Sequence, residues 1–245
     1  EEHRKFSSSL SKYASKARNI VEGKNGCMVF SGGDDILAFL PVDKCLDAAR
    51  DLHDEFAKLQ FSDEGKKEFH LTLSVGIAIA HCMEPLEDIL MFGKAAERDA
   101  KNPDRNGLAV HLHTRSGGDP ILLREQWKDK DENGLDERLK SWAKMHRINE
   151  VPDKAAYDLR QLAEEYSNWL SISHDLLDRD ARRLLRRKRV ERGNRGISDS
   201  NLDKLMEDVK SHDDLIHRAN ELILARSIAE IEEIVQAFSS KEDLV

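Results

Sequence analysis

The chain has 245 residues, 39% hydrophobic and 35% charged, with a formal net charge of −8. That acidic balance gives no bulk reason to expect nucleic-acid binding, although a local basic patch can still supply it, and no apolar run approaches the roughly 20 residues that span a bilayer. Cys27, Cys45 and Cys82 are widely spaced with no Cys-x-x-Cys pair, and no signal-peptide pattern is present, so they read as reduced core thiols of a cytoplasmic protein.

From about Glu2 to Val21, Phe6, Leu10, Tyr13, Ala17 and Ile20 recur in steps of four and three, which predicts a helix with one apolar stripe. Gly23-Lys24-Asn25-Gly26 ends it. Cys27 to Pro41, CMVFSGGDDILAFLP, reads as strand, tight turn, strand, with Gly-Gly as the hairpin signal. Asp43 can cap a second helix reaching about Leu59, with Leu46, Ala49, Leu52, His53, Phe56 and Leu59 inward. Residues 61 to 68 are polar and read as a loop. Phe69 to Ala80 reads as one largely buried strand, and its Gly76 marks a bulge or a close backbone approach. A helix over Pro85 to Lys101 is broken by Asn102-Pro103-Asp104, and Leu108 to His113 is a short alternating strand. Ile121 to Trp127 fits either a last strand or a connector.

After Thr114 to Asp119 the character changes. Leu135–Ile148, Pro152–Trp169, Ser173–Arg192, Ser198–Val209 and Asp213–Phe238 all carry helical periodicity, with Ser198 or Asp199 available as a cap. The expected organisation is α+β: a mixed-sheet domain over residues 1–120, compatible with a ferredoxin-like split βαβ arrangement with the hairpin inside the sheet, then an all-α domain over residues 121–245.

The hairpin tip carries the chemistry. Asp34 and Asp35 are neighbours, and neighbouring strand residues point to opposite faces, so they converge only where a turn interrupts the alternation. Two close carboxylates repel unless a cation or a proton lies between them, and Mg²⁺ takes one or two carboxylates plus water and phosphate oxygens. Gly32 and Gly33 lack Cβ atoms and would let a triphosphate approach the backbone. Gly and Asp are equally at home in a plain surface turn, so these residues alone leave both readings open.

SGGDDILAFLP, LTLSVGIAIAH and AAERDAKNPDRNGLAVHL, in that order, resemble the palm of nucleotide cyclases and polymerases. Ser74-Val75-Gly76, Ala100-Lys101 and Arg105-Asn106 match motifs of diguanylate cyclases, but Gly32-Gly33-Asp34-Asp35-Ile36 lacks their Glu-Phe. That form, with Arg115-Ser116-Gly117-Gly118 and the long helical region, is similar to the large polymerase/cyclase-like subunit of type III CRISPR effector complexes. The resemblance implies synthesis of cyclic oligoadenylates from ATP when target RNA pairs with guide RNA, inside a complex with other subunits. It implies that Asp34 and Asp35 hold Mg²⁺ or Mn²⁺, that Ser31, Gly32 and Gly33 meet the nucleotide, that Lys101 pairs with its phosphates, and that Arg105 assists. The family's site is shared between two palms, and a palm normally opens with a strand bearing a further metal-binding Asp. This chain alone is therefore expected to be incomplete, and weak or inactive. No DNase activity is expected of this chain. A diguanylate cyclase-like enzyme and a non-catalytic scaffold binding RNA and protein are the alternatives.

The run Arg182-Arg183-Leu184-Leu185-Arg186-Arg187-Lys188-Arg189, with Arg192 and Arg195, either tracks RNA phosphates, meets a neighbouring subunit, or is a solvated helix face paired with acids such as Glu164 and Glu165. His111 and His113 read as surface histidines rather than metal ligands, and Trp127, Trp142 and Trp169 as core anchors.

Overall fold

The computed structural model describes residues 2–63, 67–115, 117–129, 133–167, 174–187 and 196–242. The fold is α+β, and the chain divides into two units, Glu1–Asp136 and Glu137–Val245. Trp169, Ser116, Lys188, Arg189, Arg192 and Arg195 lie outside the described residues.

Helix α1 (Glu2–Gly23) buries Tyr13 and Ala17 of its predicted stripe, and it buries Val21 where the stripe had Ile20, which is half-buried. It stops where Asn25 takes a positive φ and the Gly26 N–H returns to the Val21 carbonyl at 2.9 Å. Strands β1 (Cys27–Gly32) and β2 (Asp35–Phe39) form the hairpin, antiparallel, with Gly32 opposite Asp35. Helix α2 (Val42–Ala57) follows Pro41, with Asp43 in its first turn rather than as a side-chain cap. Tyr13, Ala17, Val21, Met28, Leu52 and Phe56 make one core, which Ile36, Ala38, Leu71 and Leu73 flank. Tyr13 meets Phe56 edge-on at 4.9 Å, and its hydroxyl donates to the Leu52 carbonyl at 3.3 Å. The hairpin therefore rests on the α1–α2 pair by its inner face.

Residues 61 to 68 are not simply a loop. Strands β3 (Gln60–Asp63) and β4 (Lys67–His70) pair antiparallel, Gln60 opposite His70 and Asp63 opposite Lys67. A two-stranded ribbon needs no continuous apolar run, so its polar composition concealed it. The long strand expected over Phe69–Ala80 is split into β4 and β5 (Val75–Ile79). Between them the chain leaves the ladder: Leu71 and Leu73 pack on the hairpin core, and the Trp127 indole N–H takes the Leu73 carbonyl at 3.1 Å.

Helix α3 (Leu86–Lys101) crosses β5 and β6 (Gly107–Leu112), and β7 (Ile121–Gln126) completes a three-stranded sheet in the order β5-β6-β7. The first pair is parallel and the second antiparallel. Ile121–Gln126 is thus a strand of the first unit. The hairpin was expected inside this sheet; among the described residues it pairs only with itself. Being central, β6 is buried along its whole length, which overturns the surface reading of His111. That residue is 2% exposed, with Nε2 3.0 Å from Asp99 on α3, and His113 stacks on Phe92 at 3.7 Å. Burial lowers both histidines below the ordinary imidazole range.

The C-terminal region is helical among its described residues: α4 (Leu135–Arg147), α5 (Ala155–Ser167), α6 (His174–Arg187), α7 (Asp199–Met206) and α8 (His212–Glu242). Ser198 caps α7 by accepting from the Asn201 N–H at 3.2 Å, as the sequence proposed. Trp142 is a core anchor, as read, and Trp127 is likewise buried in the first unit; of the three cysteines expected in the core, Cys45 is buried but Cys27 and Cys82 are exposed. Inside the helical unit Glu221 is 1% exposed and takes Arg138 Nη2 at 2.6 Å and the Trp142 indole at 2.9 Å. His217 and Arg218 lie within 3.2 and 3.4 Å of it. Burial would raise this carboxyl, but hydrogen bonds from His217 and Arg138 and the guanidinium charges hold it at about 2. No helix among the described residues is long and apolar enough to cross a membrane.

Candidate nucleotide site at the hairpin tip

A register shift between Met28 and Phe30 marks a bulge in β1. It turns Val29 and Phe30 outward together, 53% and 54% exposed, while Met28 stays buried. The tip then needs the left-handed region, which Gly33 supplies with φ +75°. Asp34 sits in the turn and Asp35 opens β2, so the turn breaks the strand alternation between them. Both are exposed, and their side chains make no hydrogen bond or ion pair among the described residues. Two carboxylates with no protein partner on adjacent positions are hard oxygen donors of the kind Mg²⁺ and Mn²⁺ accept.

Gly32 faces the Phe30 ring so closely that an added Cβ would overlap it. The sequence placed Phe30 in an apolar strand run and gave no hint that its ring would lie open beside the glycines. The signal lies in the bulge, which only the pairing register reveals. Ser31 points the other way: its hydroxyl donates to the Ala14 carbonyl of α1 at 3.5 Å.

The cationic candidates come from another element. Lys101 ends α3 and pairs with Glu97 one turn back at 2.5 Å, both partly exposed. Arg105 is past the helix, in a turn with φ +56°, exposed, its N–H bonded to the Lys101 carbonyl at 3.1 Å. No hydrogen bond or ion pair joins either residue to the hairpin among the described residues. Their height over the sheet is set by a glycine–alanine seam. A Cβ at Gly76 would overlap the α3 backbone at Ala96 and Glu97, and one at Gly107 would overlap the Ala100 carbonyl. Ala96 and Ala100 are fully buried there. The close backbone approach expected at Gly76 is therefore real.

Residues 1–109 match the family described as Cas10/Cmr2, second palm domain. The chain is also 36% identical over 123 residues to the CRISPR system Cmr subunit Cmr2 of Pyrococcus furiosus. That stretch is 49% of this chain and 14% of the relative's length. The resemblance to a type III CRISPR large subunit is thus borne out for the palm.

A polar cleft of about 350 Å³ elsewhere on the palm unit was not anticipated. Arg50 there holds Asp136 through two bonds of 2.6 and 2.8 Å, donates to the Lys128 carbonyl, and lies 4.5 Å from the Trp127 ring centroid. His53 packs on the same indole at 4.6 Å and bonds Asn106 at 3.0 Å. These groups satisfy one another and serve the packing of the palm unit. Partners so far apart in the chain leave no local pattern in the sequence.

Proposed function

We propose that this chain supplies the nucleotide-handling face of a cyclic oligoadenylate synthase, working in the cytoplasm within a type III CRISPR effector complex. Guide RNA, target RNA and the other subunits are its partners, and ATP is its substrate. The observation that carries this reading is the pair of exposed, unpartnered carboxylates, Asp34 and Asp35, on a turn beside two glycines.

The reaction is nucleotidyl transfer: a 3′-hydroxyl attacks the α-phosphorus of ATP, its proton leaves to solvent, and pyrophosphate departs. A divalent ion, Mg²⁺ or Mn²⁺, held by Asp34 and Asp35 would lower the hydroxyl pKa and offset charge building on the phosphoryl oxygens. Gly33 leaves the tip backbone open to phosphate, while Gly32, whose missing Cβ makes room for the Phe30 ring, meets the nucleotide beside that ring. Phe30 offers its exposed ring to the base, a contact worth about 1–3 kcal/mol where bases stack on aromatics. Ser31 can exchange its long bond to Ala14 for a sugar or base acceptor. Lys101 is held by an exposed pair worth about 0.3–0.5 kcal/mol, so phosphate oxygens can displace Glu97 from it. Arg105 adds a second charge nearby in the chain.

The test uses the assembled complex with target RNA and labelled ATP. Asp34→Ala with Asp35→Ala should lower product by more than about 100-fold, beyond the range seen when only outer-shell partners of a metal are removed, with complex assembly intact. Phe30→Ala should raise KM more than it lowers kcat. Full synthesis by the double variant rules the site out.

A further inference from the structure

Helix α6 is built with two opposed faces. Leu177, Ala181 and Leu185 recur every fourth residue and are fully buried. Arg179, Arg183 and Arg187 recur with the same step, displaced by two residues and hence on the far side of the helix, and all three are exposed. The other two arginines of α6 are engaged. Arg182 holds Asp178 at 2.8 Å and Asp203 of α7 at 2.6 Å, and Arg186 holds Asp199 at 3.2 Å. The acids nearby are engaged as well: Asp178 by Arg182, and Asp180 by the Tyr166 hydroxyl at 2.6 Å. Glu164 and Glu165, offered by the sequence as partners for this run, bond Arg160 and Gln161 of their own helix instead. Arg179, Arg183 and Arg187 have no hydrogen-bond or ion-pair partner among the described residues.

We infer that this stripe is a binding surface for the phosphodiester backbone of a single nucleic-acid strand. An acidic chain that leaves three like charges in line, with Asp178, Asp180, Glu164 and Glu165 engaged elsewhere, holds a strong local positive potential against its overall sign. Their step along the helix is about 6 Å, of the order of the spacing between successive phosphates in a strand. The basic residues of α6 are all arginine, with no lysine, and the guanidinium fork matches phosphate bidentately where an ammonium is only a point charge. The inference is independent of the hairpin site.

The experiment titrates the full chain into labelled 20-nucleotide RNA, and DNA of the same sequence, at several salt concentrations. The variant is Arg179→Gln, Arg183→Gln, Arg187→Gln. The slope of log K against log salt should fall by about 2, since each single-strand phosphate contact contributes roughly 0.7, and affinity at low salt should drop at least tenfold. The triple Arg→Lys variant should keep the slope. A control with the exposed Lys12, Lys94 and Lys144 changed to Gln, equal in net charge, should alter it far less. Asp34→Ala with Asp35→Ala should bind as the parent does, which separates this result from the fate of the cyclase reading. Equal loss on RNA and DNA supports a backbone contact common to both, and a larger loss on RNA supports RNA as the strand held. No binding by the parent chain, an unchanged slope in the Gln variant, or loss of an acidic protein subunit from the complex with nucleic-acid binding intact would each overturn the inference.

Discussion

Glu221→Gln tests what holds the helical unit together. The carboxyl is 1% exposed and sits among Arg138, Trp142, His217 and Arg218. Its descent from 4.5 to about 2 corresponds to about 3 kcal/mol at neutral pH, at 1.36 kcal/mol per tenfold. Removing one partner of a buried ion pair costs about 3–5 kcal/mol by a separate route, and the two figures agree. Because the folded carboxyl titrates lower than the unfolded one, the stabilisation is complete above pH 4.5 and is lost as pH falls towards 2. Glutamine keeps the shape and can still accept from the Trp142 indole, but it brings no charge to the arginines. Urea unfolding followed by far-ultraviolet circular dichroism should show the helical transition moved down by about 1–3 M, for a urea dependence of about 1–3 kcal/mol per molar. The variant should also lose less stability than the parent between pH 4.5 and 2. A midpoint equal to that of the parent chain, or an acid profile unchanged by the substitution, would refute the assignment of Glu221 as the charge centre of the unit.

Two further outcomes are expected of the palm unit. Gly76→Ala forces a methyl into the α3 backbone and should destabilise the palm by about 1–3 kcal/mol or more, read as a lower melting temperature; an unchanged melt would mean the seam is looser than described. His111 and His113 are held below 6.5 by burial, so the folded palm binds fewer protons than the unfolded chain, and its stability should decline as pH drops below about 6.5. His113→Phe, which keeps a ring against Phe92, should flatten that decline between pH 7.5 and 5.5, and an identical slope would count against the buried pair as its source.

Most helices were legible because their periodicity is a local property. The stripe through Tyr13 and Ala17, the cap at Ser198 and the sequence break after Lys101 all reappear in the structure. The tip itself was legible too, since Gly-Gly between two apolar runs dictates a hairpin and leaves Asp34 and Asp35 at its end. What escaped depends on partners distant in the chain. The burial of His111 follows from β6 having strands on both sides, and no window around residue 111 encodes that. Nothing local to Arg50 points to Asp136 and Trp127, which close on it from far along the chain. Phe69–Ala80 divides because its two ends pair with different strands, β4 with β3 and β5 with β6, neither of which is visible from within that run.

The seam under α3 limits how this palm can change. At Gly76 the obstruction is main chain, not a side chain that a second substitution could shorten. No replacement on α3 can make room for a bulkier residue there; only a shift of the whole rod can, and Lys101 travels with it. Drift at this position would thus register first as a misplaced ammonium group, and a compensating change would have to be sought in whatever seats the helix, not at the hairpin tip.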